Sequence, residues 1–220
     1  MHTGIATNQD LRSCRMPDGA PIVYVVDDDI SIRESLEFLI LTAGWVPRLF
    51  ASAQEFLAHP RAALPSCLIL DVSLPDLDGL ELQKRITIDR AVMPIIFITG
   101  HADIPMSVRA MKAGAVEFLT KPYGEEVLLN AITSAIQRSR SALGEMEATR
   151  PFRDCYETLS RREREVMRLV ITGLMNKQIA AELGISQITV KAHRGRMMRK
   201  MKARSLAELV KIASHLGQGG

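Results

Sequence analysis

Five short apolar runs, each followed by a stretch of helical character, constrain this chain more than any other feature of its sequence. They cover residues 22–26, 46–50, 67–71, 95–99 and 116–119. Three are almost wholly apolar, as strands of a parallel sheet must be when helices cover both faces. Helical patterns fall at 30–42, 53–59, 79–89, 105–113 and 125–140. Ser52 with Glu55 forms a capping-box pattern, and Pro105 suits a first helical position. Strand and helix alternating in this way predict an α/β fold, a five-stranded doubly wound parallel sheet.

Past residue 137 the strand pattern stops. Residues 138–158 mix serines, Gly144, Pro151 and charges, and read as the end of a helix passing into a linker. From Ser160 onward every pattern is helical, at 160–172, 176–183, 186–201 and 205–215. Ser160 with Glu163 and Ser205 with Glu208 mark helix starts. Gly173 and Gly184 stand where a helix end calls for a left-handed residue. The expected organisation is a disordered extension over 1–20, an α/β domain over 21–137, a linker helix or linker over 138–158 and an all-α domain over 159–217.

Charge separates the two domains. The net +3 of the chain conceals 15 Lys+Arg against 6 Asp+Glu from Arg150 onward, a net of +9, and a net of −6 before it. A basic segment beside an acidic one points to a polyanionic partner. Aromatic residues make up only 5% of the chain, too few for a base-stacking platform, which favours duplex DNA over single strands or RNA. No apolar run approaches the roughly 20 residues of a membrane span, and the N-terminus has no apolar core of a secretory signal. Cys14, Cys67 and Cys155 are odd in number and match no metal-ligand spacing. Reduced thiols in a cytoplasmic protein are expected.

Open parallel sheets bind ligands beyond the carboxyl ends of their strands, where the strand order reverses. The first run ends in Asp27, Asp28 and Asp29, the third in Asp71, and the fourth in Thr99 and Gly100; Thr120, Lys121 and Pro122 follow the fifth. Several carboxylates, a hydroxyl and a lysine therefore converge on one rim. Clustered carboxylates with no nearby arginine repel one another unless a hard cation lies between them, and Mg²⁺ prefers oxygen ligands. An aspartate can act as a nucleophile and form an acyl phosphate, and a lysine ammonium can hold the transferred group as a point charge. The constellation points to phosphoryl transfer onto an aspartate, with Mg²⁺ and Lys121 offsetting the developing charge. Asp76 and Asp78 read as turn or capping residues.

The segments IVYVVDDD, LILDVSLPDLDG and IIFITGHADIPMSVRAMKAGAVEFLTKP resemble the receiver domain of two-component response regulators, over about residues 20–140. The resemblance implies a flavodoxin-like fold and assigns roles by motif position. Asp71 would be the phospho-acceptor, and Asp27 and Asp28 would hold Mg²⁺ together with Asp71 and the backbone carbonyl of Ser73. Lys121 would bind the phosphoryl group, and Thr99 would donate a hydrogen bond to it after activation. Phe118 matches the aromatic that turns inward once the threonine moves. Ser73 and His101, two residues beyond Asp71 and Thr99, would flank the acyl phosphate and tune its lifetime.

In the C-terminal domain, a turn at Gly184 and Ile185 joins one helix to a second that opens at Ser186. The second carries Lys191, His193, Arg194, Arg196, Arg199 and Lys200, while Val190, Met197 and Met201 recur at helical spacing and should face the core. Cations and small residues on the other side, Lys191, Ala192, Arg194 and Gly195, suit a helix lying in the major groove. The motifs LSRREREV, NKQIA and TVKAH closely resemble the LuxR-type helix-turn-helix of the FixJ/NarL subfamily, over about residues 155–215. That resemblance makes 186–201 the recognition helix, with Lys177, Thr189, Lys191, His193 and Arg194 as DNA contacts and Lys191 and Arg194 as base readers.

Together these readings describe a transcription factor switched by phosphorylation. The implied partners are a sensor histidine kinase, double-stranded promoter DNA, a second copy of the chain once phosphorylated and, as a further candidate, RNA polymerase. Beyond self-phosphorylation and slow hydrolysis of the aspartyl phosphate, no enzyme activity is expected. Two alternatives stand beside this reading. One is a DNA-binding regulator with a phosphorylation-independent receiver. The other is an aspartate-nucleophile phosphatase, against which Ser73 stands where a second acidic residue would be needed.

Overall fold

A computed structural model describes residues 19–60, 62–89, 93–100 and 104–217. The extension expected over 1–20 falls, up to residue 18, outside the described residues. The chain divides into two compact units, Met1–Leu143 and Gly144–Gly220.

In the first unit, strands and helices alternate: β1 (Ile22–Val26), α1 (Ile30–Thr42), β2 (Val46–Phe50), α2 (Ala53–Ala58), β3 (Ser66–Asp71), α3 (Gly79–Asp89), β4 (Ile95–Thr99), α4 (Ile104–Lys112), β5 (Glu117–Thr120) and the start of α5 (Glu125–Glu157), whose residues from Gly144 on belong to the second unit. The sheet order is β2-β1-β3-β4-β5 and every pairing is parallel. The predicted doubly wound sheet is thus present, and the strand order reverses between β1 and β3. Because side chains alternate along each strand, one face presents Tyr24, Leu70 and Phe97 to Phe56 of α2 and Leu82 of α3. The other presents Val25, Ile69 and Ile98 to Leu36 of α1 and to Leu128 and Ile132 of α5. The strands β1, β3 and β4 are buried along their whole length, which is why their sequences are almost wholly apolar before the polar residues that end β3 and β4.

Several boundaries depart from the sequence expectation: β3 opens one residue early, at Ser66, and α4 opens at Ile104, so that Pro105 is its second residue and not its first. The edge strand β5 lies one residue later than the apolar run suggested, since Glu117 and Thr120 pair in the ladder while exposed. More substantially, 138–157 stays helical, within a 33-residue α5. Ala, Leu, Glu, Met and Arg dominate residues 142–150, and their propensities outweigh Gly144. Pro151 is accommodated inside the helix, where it removes one backbone donor.

Gly79 closes the loop after β3. Its N–H donates to the Val72 carbonyl at 3.0 Å, and a Cβ there would lie 2.7 Å from the carbonyl oxygen of Asp71 and 3.0 Å from the Val72 Cα. Both obstacles are backbone, so a methyl group can be admitted only by moving the end of β3. Gly79→Ala is expected to lower stability by about 2 kcal/mol. Urea unfolding of the full chain, followed by the fluorescence of Trp45 in the same unit, checks this; an unchanged midpoint would refute it.

The second unit is wholly helical after α5: α6 (Arg161–Ile171), α7 (Asn176–Leu183), α8 (Gln187–Lys200) and α9 (Leu206–His215). Ser160, Ser186 and Ser205 each accept a backbone N–H from the third residue of the following helix. Gly173 and Gly184 take positive φ of 87° and 63°, as the helix-stop pattern required. The core joins Val166 and Val170 of α6, Ile179 of α7, Val190 and Met197 of α8, and Leu209 of α9.

A buried charge ties two of these helices together. Glu163 accepts the Ser160 N–H at 2.8 Å, completing a capping box, and accepts from Lys200 Nζ at 2.7 Å. Burial opposes the Glu163 charge, but the Lys200 hydrogen bond and the Ser160 N–H outweigh it and hold the carboxyl below its ordinary value of 4.5. A depressed folded-state pKa contributes stability above the unfolded value, and that contribution is lost as pH falls through the folded one. The second unit should therefore weaken in acid below about pH 4.5 more steeply in wild type than in Glu163→Gln. Thermal unfolding of both proteins from pH 7 down to pH 3, read by helical circular dichroism, checks it; parallel curves would refute it.

Candidate functional site

The parallel register builds the rim of the sheet. Val26 pairs with Leu70, so Asp27 and Asp71 stand side by side as the chain leaves β1 and β3. Asp27 is completely buried and Asp71 nearly so. Lys121 reaches both, with Nζ 2.9 Å from Asp27 Oδ2 and 2.7 Å from Asp71 Oδ2. Its own position is fixed by β4, because the Lys121 N–H donates to the Thr99 carbonyl at 2.8 Å. The Lys121–Pro122 peptide bond is cis.

The acidic loop is held by its own backbone. Asp27 Oδ1 accepts the Asp29 N–H at 2.9 Å, and Asp29 caps α1 by accepting the Ser31 N–H at 2.8 Å. Asp28 remains exposed, and carboxylate oxygens of Asp27, Asp28 and Asp71 all lie within 4.8 Å of one another. Burial raises the Asp27 pKa, against the opposing pull of Lys121 and the Asp29 N–H. Burial works against the Lys121 charge too, but its hydrogen bonds to Asp71 and Asp27 prevail and push its pKa up. One lysine thus faces two carboxylates with a third beside them, a set of hard oxygen donors that suits a small divalent cation.

The neighbouring residues surround this cluster. Ser73 is exposed, and its N–H donates to Asp71 Oδ1 at 2.9 Å. Thr99 is completely buried at the end of β4. Phe118 is half-buried, its ring centroid 6.0 Å from that of Phe97. His101 lies outside the described residues. Asp76 accepts the N–H groups of Ala53 and Gln54, and Asp78 that of Leu80, so both serve helix starts as the sequence suggested.

In the second unit, α8 turns Val190 and Met197 inward, and leaves Ile188, Lys191, Ala192, Gly195 and Arg199 exposed on the opposite side. Lys177 is exposed at the start of α7. Thr189 is half-buried, with its hydroxyl 2.8 Å from Ser186 Oγ. His193 is also half-buried. Arg194 donates from Nη1 to Asn176 Oδ1 at 3.1 Å, which ties α8 to α7.

With this geometry in hand, comparison with known proteins is direct. Residues 23–133 match the family described as the response regulator receiver domain, and 157–213 match bacterial regulatory proteins of the luxR family. Nodulation protein W of Bradyrhizobium diazoefficiens is 50% identical over 196 residues, which cover 89% of this chain and 86% of that protein. The chain is a response regulator of the FixJ type. Its other relatives include the response regulator protein TodT of Pseudomonas putida, 43% identical over 91% of this chain and 88% of its own length. Among solved structures, the response regulator StyR has a TM-score of 0.65 at 47% identity, over 89% of this chain and 98% of that one. Full-length FixJ from B. japonicum has a TM-score of 0.52 at 42% identity, over 89% and 97%.

Within this response regulator, sequence reasoning missed three side chains. It treated the acidic cluster as free of arginine, yet Arg33 of α1 donates from Nη1 to the Asp27 carbonyl at 2.6 Å. It left Lys200 unassigned, although that residue grips Glu163 and also donates to the Thr158 carbonyl at 2.9 Å. It passed over Ile188, which the fold leaves almost bare. Only for Arg33 was there a local signal, four residues after the Asp29 cap and hence one helical turn into α1.

Proposed function

We propose that this response regulator accepts a phosphoryl group on Asp71 from a sensor histidine kinase, and that the modification governs its dimerisation and its binding to duplex promoter DNA. The observation that carries the reading is the convergence of Asp27, Asp28 and Asp71 within 4.8 Å, with Lys121 against two of them. Asp27, Asp28, Asp71 and the backbone carbonyl of Ser73 would hold Mg²⁺, which when bound supplies positive charge against the incoming phosphoryl oxygens.

In the transfer, a carboxylate oxygen of Asp71 attacks phosphorus and a P–O bond forms. The P–N bond to the kinase histidine breaks, and the imidazole leaves with the electron pair and gains a proton. Lys121 steadies the phosphoryl oxygens as a fixed cation. Thr99 donates to the group once it is in place, and Phe118 turns further inward to fill the space the threonine vacates. Ser73 tunes the lifetime of the acyl phosphate, a role that motif position also gives to His101. The chemistry of the chain itself is limited to self-phosphorylation from small donors and slow hydrolysis of the product. A second copy of the phosphorylated chain then joins, and α8 enters the major groove with Lys177, Thr189, Lys191, His193 and Arg194 at the DNA. RNA polymerase completes the set of proposed partners.

The test is incubation of the full chain with Mg²⁺ and phosphoramidate, followed by intact mass and sizing, for wild type and Asp71→Asn. Wild type should gain one phosphoryl group and shift towards dimer, and Asp71→Asn should do neither. Absence of phosphoryl gain in wild type, with Mg²⁺ binding established by titration, would sink the proposal and favour a phosphorylation-independent receiver.

A further inference from the structure

We propose that Ile188 reads the C5 methyl group of a thymine, so that an A·T pair at one fixed position of each half-site is part of what this protein recognises. The proposal rests on the reading of α8 as the helix that enters duplex DNA.

Ile188 is 82% exposed, more than any other large apolar residue among those described. A lone exposed isoleucine is unremarkable on most surfaces, but its place here is specific. It stands in the first turn of α8, and the N-terminal residues of a recognition helix are those that meet base edges. Helical spacing puts Lys191, Ala192 and Gly195 on the same strip, all exposed and opposite the buried Val190 and Met197. A Cβ built on Gly195 would meet nothing within 4 Å, so that strip faces open space, and Gly195 and Ala192 leave room for the backbone to come close to a base pair.

Chemistry then selects the ligand. Ile188 has no side-chain donor or acceptor, and the one apolar group that an unmodified base pair presents in the major groove is the thymine methyl. The other bases offer only polar atoms at their edges, which an isoleucine would desolvate without a hydrogen bond in return. The side chain is also well prepared for the contact. Its β-branch restricts χ1, and the turn that carries it is fixed by Ser186, whose Oγ accepts the Thr189 N–H at 3.1 Å. Lys191 supplies the polar half of the readout and Ile188 the apolar half.

The experiment uses the full chain after treatment with Mg²⁺ and phosphoramidate. Duplexes enriched from a randomised pool by wild-type protein are remade with each thymine in turn replaced by deoxyuridine, which lacks only the methyl group. Wild type should bind about four-fold less tightly when the critical thymine is changed, the effect of one buried methyl. For Ile188→Ala, with unchanged helical circular dichroism, affinities for the thymine and deoxyuridine duplexes should coincide. Equal tolerance of every replacement by wild type would overturn the proposal, as would a thymine preference that survives in Ile188→Ala. Failure of wild type to enrich any duplex would overturn instead the DNA-binding reading beneath it.

Discussion

Lys121→Ala is expected to slow the uptake of a phosphoryl group by Asp71 by two to three orders of magnitude, about the cost of removing one preorganised charge-stabilising donor. The ammonium already touches Asp71 Oδ2 at 2.7 Å and Asp27 Oδ2 at 2.9 Å, so it needs no rearrangement to meet oxygens delivered to Asp71. A water entering the vacated space can donate hydrogen bonds but brings no charge and no fixed orientation. Lys121→Arg should recover little, because a planar guanidinium is broader than an ammonium and cannot sit between two carboxylates in the same way. Intact mass against time, with phosphoramidate and saturating Mg²⁺, measures the rate. A Lys121→Ala rate within about three-fold of wild type would contradict the role given to this lysine, since the expected loss is far larger.

Lys191→Ala is expected to weaken DNA binding about ten- to a hundred-fold and to relax the sequence preference, as loss of a base contact does. Lys191 is exposed in the outward strip of α8, whereas Arg194 is half-buried and engaged with Asn176. Removal of Arg194 should therefore disturb the seating of α8 on α7 and lower affinity for all sequences together. Titrations of both variants on a selected duplex and on a scrambled one, at two salt concentrations, distinguish these effects. Were Lys191 only a phosphate contact, affinity would fall equally on both duplexes and the salt dependence would flatten by about one unit.

The order of elements could be read from the sequence because burial on both faces left β1, β3 and β4 almost wholly apolar. The acidic rim was legible for the same reason, since Asp27 and Asp71 are the first polar residues after such runs. Pairings across elements were not. Glu163 and Lys200 are 37 residues apart and Asn176 and Arg194 are 18 apart, and nothing in local periodicity marks them as partners. They exist because the helices of the second unit pack about Val166, Ile179 and Val190. Residues 138–157 misled in the opposite way: Gly144 and Pro151 are strong local signals for an interruption, and the helix-forming residues between them prevailed.

Asp27 follows β1 and Asp71 ends β3, each one residue beyond the Val26–Leu70 rung, so their separation is set by the backbone ladder of β1 and β3 and not by a loop. Connections on the opposite rim, at 43–45 and 113–116, can lengthen or shorten without altering that spacing. A two-residue slip of one strand would keep each side chain on its own face but carry its carboxylate about 6.6 Å along the sheet. The sheet thus serves as a ruler. The chain is free to drift in outline at one end while the distance on which its chemistry depends stays calibrated at the other.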